Sequence, residues 1–143
     1  MRKLKLQAVG WARSFPVRKG ARAAREWTSW HLSALPWTRQ APDTVHSVLL
    51  TVSELVTNAH LHAASTAQLV LTWDGGCLHV SVADADPRLP MPREADRMAT
   101  SGRGLGIVAA LADSWDVHAW HGGKAITACF RPPGSTGGHG GPG

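Results

Sequence analysis

The sequence predicts an α+β protein: a two-layer α/β sandwich in which helices cover one face of a mixed, mostly antiparallel sheet. Three observations carry that expectation. Two pairs of strand-like runs are each joined by a double glycine, Gly75-Gly76 and Gly122-Gly123. Such turns make antiparallel hairpins, so an all-parallel sheet is excluded. Two stretches with apolar residues at helical spacing precede the hairpins and a third lies between them, which places helices over a sheet face.

Leu4, Leu6, Ala8 and Gly10, followed by Trp11 to Phe15, form a first strand over about 4–15, ended by Pro16. Val17, Ala21, Ala24, Trp27 and Leu32 then recur at near-helical spacing, which predicts a helix over about 18–34, stopped by Pro36. The strongest helical pattern starts near Asp43, a candidate N-cap. It runs through Val45, Val48, Leu49, Val52, Leu55, Val56, Ala59 and Ala63. Strands are predicted over Ala67–Asp74 and Cys77–Asp84. Residues 85–100, rich in Pro and Arg, read as a long irregular loop, and loops of that length are often functional. The run "GRGLGIVAALAD" turns from glycines into a helix, and "SWDVHAW" and "KAITACF" form the second hairpin. Pro132-Pro133 closes the fold. Residues 1–131 therefore form a single domain, and 132–143 a flexible Gly-rich tail.

At 143 residues the chain is long enough to bury a core without a disulfide or structural metal. No apolar run approaches the roughly 18–20 residues that span a bilayer, so no membrane role is expected. The basic N-terminus lacks the apolar centre of a signal peptide and reads as part of the mature protein. Cys77 and Cys129 both fall in apolar strand-like runs. Buried, reduced thiols in a cytoplasmic protein are expected in preference to a disulfide. The net charge of +5 comes from arginines and lysines crowded into the first quarter. With no helix-turn-helix, zinc-finger or RNA-module pattern beside them, they read as a solvated or protein-docking face, and no direct nucleic-acid binding is expected.

Three features bear on chemistry. In "SELVTNAHLHA", Glu54 and Asn58 stand at the i,i+4 spacing that brings side chains together. They lie opposite the apolar arc on a helical wheel, where a water-facing side is the plain alternative. Asn is a costly helix-interior residue, and Leu61 shares that side. Asp84 closes an apolar strand before a turn, where acidic residues also serve as turn formers. In "TSGRGLGIV", Gly102, Gly104 and Gly106 precede a helix and Arg103 adds a positive charge, as beside phosphates; alone, such a glycine pattern is weak evidence.

Together these motifs resemble the GHKL, or Bergerat-fold, ATP-binding superfamily of gyrase, heat-shock chaperones, MutL and histidine kinases. "SELVTNAHLHA" is similar to its first motif, "VADADPRLP" to its second and "GRGLGIVAALADSWDV" to its third. The small size, "ELVTNA" and "GRGLG" look like the branch of anti-sigma-factor serine kinases and their stand-alone ATP-binding relatives. The likeness covers roughly residues 15 to 131, which makes the domain an ATP-binding one.

The resemblance implies ATP and Mg²⁺ as cofactors. Asn58 would coordinate the metal and contact the nucleotide, and Glu54 would act as general base. Asp84 would accept a hydrogen bond from the adenine amino group, with support from Thr127. Gly102, Gly104 and Gly106 would let the backbone approach the phosphates, and Arg103 would offset their charge. It further implies phosphorylation of an anti-anti-sigma (STAS-like) antagonist, binding of a sigma factor, and homodimerisation. The second motif departs from its usual Asp-x-Gly-x-Gly, because Asp84 is followed by Ala85, Asp86 and Pro87. That departure leaves open a non-catalytic nucleotide-binding or partner-docking module of the same fold.

Overall fold

A computed structural model describes residues 9–86 and 105–134 of the chain. β1 spans Val9–Phe15, and α1 spans Ala21–Leu32. A short 3₁₀ helix, Pro36–Gln40, leads into α2, Pro42–His62. β2 (Ala67–Trp73) and β3 (Leu78–Asp84) follow. α3 is Leu105–Leu111, and β4 (Ser114–Trp120) and β5 (Gly123–Phe130) complete the described elements.

The five strands form one sheet in the order β1-β2-β3-β5-β4. Every pairing is antiparallel, where some parallel pairing was expected. The chain reaches the far edge through α3, lays down β4 there, and returns with β5 between β4 and β3. Alternation along the strands divides the sheet into two faces. Phe15, Leu69, Leu71, Leu78, Val80, Ile126, Ala128 and Phe130 point to the core, where Leu32, Val48, Val52, Leu55, Val56 and Val108 meet them from the helices. The other face carries partners such as Val70 and Ser81, or Ser81 and Thr127, with no described helix over it.

The helix boundaries have local causes. α2 opens with Pro42 at its first turn, where a missing N–H costs nothing. Asp43 is therefore not the N-cap; it lies inside the first turn, where a carboxylate favours the helix dipole. At the other end Ala64 takes a left-handed conformation (φ 50°), and the Ser65 N–H reaches back to the Ala59 carbonyl at 3.3 Å. His60 Nε2 is 2.9 Å from the Phe15 carbonyl, tying this end of α2 to β1.

The β2–β3 turn is a carboxylate-organised hairpin. Gly75 adopts φ 95°, and Asp74 Oδ1 accepts the Gly76 and Cys77 N–H groups at 2.9 and 2.8 Å. In the second hairpin His121 and Gly122 form the turn, and Gly123 already belongs to β5. The expectation of reduced thiols is overturned: Cys77 and Cys129 form a disulfide. His79 pairs with Cys129 across β3 and β5, so Cys77, two residues earlier on the same face, meets that cysteine diagonally. Trp11, Trp27, Trp37 and Trp73 pack against the core. Trp30, Trp115 and Trp120 remain exposed.

Candidate functional site

The candidate site lies where the C-terminal half of α2 meets the end of β3. α2 is enclosed between the sheet, α1 and α3. Its second half therefore buries residues outside the arc facing the strands. Asn58 is one of them, at only 6% exposure, so the reading of Glu54 and Asn58 as the side opposite the apolar arc holds only in part. Leu61, by contrast, is 59% exposed and gives no sign of a covered face. Glu54 is half-buried, next to Ser53, whose hydroxyl accepts a 2.9 Å hydrogen bond from Arg25 of α1.

Neither the carbonyl oxygen nor the amide nitrogen of Asn58 has a hydrogen-bond partner among the described residues, although both are buried. Buried polar atoms are nearly always paired, and an exception calls for an explanation. A hard cation such as Mg²⁺ takes oxygen ligands and keeps several waters, so one amide oxygen with free lone pairs fits it. The residue present at this position thus suits the ligand that the resemblance implies.

Asp84 lies at the same end of the molecule. The Ala85 N–H donates to Ser65 Oγ at 3.1 Å, and Ser65 is itself bonded back to Ala59, the neighbour of Asn58. The β3 terminus is in this way fastened to the α2 terminus. Asp84 sits opposite Lys124 in the β3–β5 register, and the two form an ion pair at 3.0 Å. Lys124 is a residue that sequence reasoning missed. Nothing in "GGKAITACF" marks a strand lysine as buried until the register sets it across from Asp84. Gly123 is required here because a Cβ at that position would collide with the Asp84 carbonyl oxygen.

Gly106 is half-buried in the first turn of α3, beside the buried Leu105. Gly102, Arg103 and Gly104 lie outside the described residues. Thr127 is not brought to the site. It follows the core-facing Ile126, and its hydroxyl donates to Ser81 Oγ at 3.1 Å on the sheet face opposite the core. Strand alternation puts it on the side away from Asp84, which corrects its expected part in the adenine contact.

Two other features of the described residues bear on chemistry. Cys77, His79 and Cys129 bring their ligand atoms within 4.8 Å of one another. Both sulfurs are committed to the disulfide, which leaves His79 paired with Asp74 at 3.0 Å. A groove between the end of β1 and α1 is lined by residues including Arg13, Lys19, Trp27 and Trp30. Its lining contains none of the predicted site residues.

The chain belongs to the histidine kinase-like ATPase domain family, whose sequence model matches residues 16–130. Among solved structures, it is similar to the RsbU and RsbW domains of Rv1364c from Mycobacterium tuberculosis. The TM-score is 0.65 at 19% identity, over 86% of this chain and 32% of that one. The chain thus spans about a third of the length of that solved protein, and the likeness is one of fold. No curated protein sequence matches it. Membership of an ATPase-domain family implies ATP as the ligand. No helix among the described residues is long and apolar enough to cross a membrane.

Proposed function

We propose that the chain is an anti-sigma-type serine/threonine protein kinase that uses Mg-ATP to phosphorylate a small anti-anti-sigma (STAS-like) antagonist. The observation that carries this reading is Asn58, buried with both amide atoms unpartnered one helical turn from Glu54. Asn58 would hold the metal through its amide oxygen. Asp84 accepts a hydrogen bond from the adenine amino group, while Gly102, Gly104, Gly106 and Arg103 attend the phosphates. When bound, the metal supplies charge neutralisation on the phosphates, which is where phosphoryl transfer needs most help. Glu54 takes the proton from the attacking serine or threonine hydroxyl, a step worth roughly 10²–10⁴-fold in rate. Sequestration of a sigma factor and homodimerisation belong to the same reading, and the solved neighbour that includes an RsbW domain supports it.

The test is transfer of the γ-phosphate of ATP to a candidate antagonist. Glu54→Ala should abolish turnover with ATP binding kept, and unchanged phosphorylation would remove Glu54 from the role of base. A second reading, a non-catalytic docking module, is favoured by the altered second motif and by the engagement of Asp84 with Lys124. ATP binding without transfer to any antagonist would favour it.

A further inference from the structure

Cys77, His79 and Cys129 gather on the sheet face opposite the core. Alternation puts Cys77 and His79 on one side, while Leu78 and Val80 are fully buried on the other. Cys129 of β5 stands directly across from His79 in the register. The potential ligand atoms of these three side chains lie within 4.8 Å of one another, and all three residues are partly exposed. A disulfide alone gives no reason for an imidazole at this point. His79 is also held in place, because its Nε2 lies 3.0 Å from Asp74 Oδ2. Asp74 is fixed in turn by the Gly76 and Cys77 N–H groups, which donate to its Oδ1. A carboxylate that orients an imidazole is the usual companion of a metal-binding histidine.

We propose that reduction of the Cys77–Cys129 disulfide creates a zinc site, in which both thiolates and the His79 imidazole bind one Zn²⁺ and water completes the tetrahedron. A dithiol reductant supplies the first step. Its thiolate attacks one sulfur, the Cys77–Cys129 bond breaks, and a mixed disulfide forms. The second thiol of the reductant then frees that sulfur and closes into a cyclic disulfide. Two electrons and two protons have passed to Cys77 and Cys129. Zn²⁺ next displaces the two thiol protons to solvent. The two thiolates cancel the charge of the ion, so no uncompensated charge is left on a partly covered surface. Soft sulfur with imidazole selects zinc over Mg²⁺ or Ca²⁺, which take oxygen. Zinc bonds of about 2.3 Å to sulfur and about 2.0–2.1 Å to nitrogen set tetrahedral ligand atoms roughly 3.5–3.8 Å apart. Side-chain rotation reaches that spacing from a cluster already within 4.8 Å. Nε2 of His79 stays with Asp74, and Nδ1 binds the ion. Cys77 precedes the first residue of β3 and Asp84 is the last, so the zinc site and Asp84 lie roughly 20 Å apart. Zinc binding is thus independent of nucleotide binding.

Titration of the full chain with Co²⁺ and then Zn²⁺ tests the proposal. The disulfide is first reduced with a dithiol, and the reductant is removed under nitrogen. Co²⁺ should bind with the intense visible bands of a tetrahedral, thiolate-ligated ion. Zn²⁺ should bleach them with a dissociation constant below about 10 µM. The oxidised chain should show no such spectrum. It carries the same histidines, so it also controls for adventitious surface binding. His79→Ala should weaken zinc at least about a hundredfold, and Asp74→Asn, which keeps an Oδ1 acceptor for the turn, about tenfold. A reduced wild type without the thiolate–cobalt spectrum, or with weaker zinc binding than about 10 µM, overturns the proposal. Equal affinity in the reduced and oxidised chains overturns it too, as does wild-type affinity in His79→Ala. The comparison of reduced with oxidised wild type is decisive even where a variant does not fold.

Discussion

Burying an amide with no partner costs about 1–3 kcal/mol for each group left unsatisfied, and Asn58 bears that cost on both of its polar atoms. A residue retained under such a penalty is best explained by what it does when ligand arrives. Asn58→Leu, with the same branched heavy-atom skeleton and no polar atoms, should keep folding stability or raise it by about 1 kcal/mol in urea titration, while Mg-dependent nucleotide binding is lost. A loss of about 2 kcal/mol or more would instead show that the amide is paired in the free protein. Gly123 makes the opposite case, because its value lies in the missing side chain. A Cβ would meet the Asp84 carbonyl oxygen, which is backbone and has little room to yield. Gly123→Ala should therefore cost about 1–3 kcal/mol and disturb the β3–β5 pairing beside the site, read by denaturation and by amide exchange at Asp84 and Ala85. Wild-type stability in that variant would mean that the strands separate more easily than this close approach implies.

At the scale of elements, the helices and hairpins were legible because each is a local pattern. The period of α2 and the glycines of the β2–β3 turn can be read within a few residues. What brings distant elements together is not local, and there the sequence misled. Cys77 and Cys129, 52 residues apart, meet only because β5 inserts between β3 and β4, and no property of either strand announces that order. Closing a loop of that length in the unfolded chain should stabilise the fold by about 4 kcal/mol in the chain-entropy account. A reductant should lower the urea midpoint accordingly, and Cys129→Ser should match the reduced protein. An unchanged midpoint would show that the bond contributes nothing. The turn beside it carries a pH dependence. The Asp74 carboxyl is held below its ordinary value of 3.8, first by the Gly76 N–H, then by His79 and the Cys77 N–H. A depressed folded-state value means stability that is present above the unfolded value and lost as pH falls through the folded one. The stability gap between wild type and Asp74→Asn should hold from neutrality to about pH 4 and shrink towards pH 2. A gap of constant size down to pH 2 would deny the carboxylate that role.

For the whole molecule, the sandwich gathers the candidate site at one end of a rigid sheet and leaves the opposite sheet face free of described helices. That geometry explains how much of the site the sequence disclosed. Glu54, Asn58 and Asp84 stood out because their polarity interrupts apolar patterns. Lys124 did not, since a lysine in a strand signals nothing until its neighbour is known. Thr127 was misassigned because a one-residue step along a strand changes faces, and the motif alone does not say which face it is on. The same geometry predicts a global response to ligand. The residues that would hold Mg-ATP come from α2 and β3, and Gly106 lies in the first turn of α3. The site therefore exists only when these elements are docked. A ligand that binds the folded state alone stabilises it by about 2.7 kcal/mol at a hundred times its dissociation constant. Mg-ATP should therefore raise the midpoint of thermal unfolding by several degrees, in proportion to the logarithm of its concentration. Removing the magnesium with a chelator should abolish most of that rise in the wild type and change nothing in Asn58→Leu, whose midpoint no longer depends on the metal. A magnesium-dependent rise of equal size in both proteins would place the metal elsewhere and separate the buried amide of Asn58 from nucleotide binding.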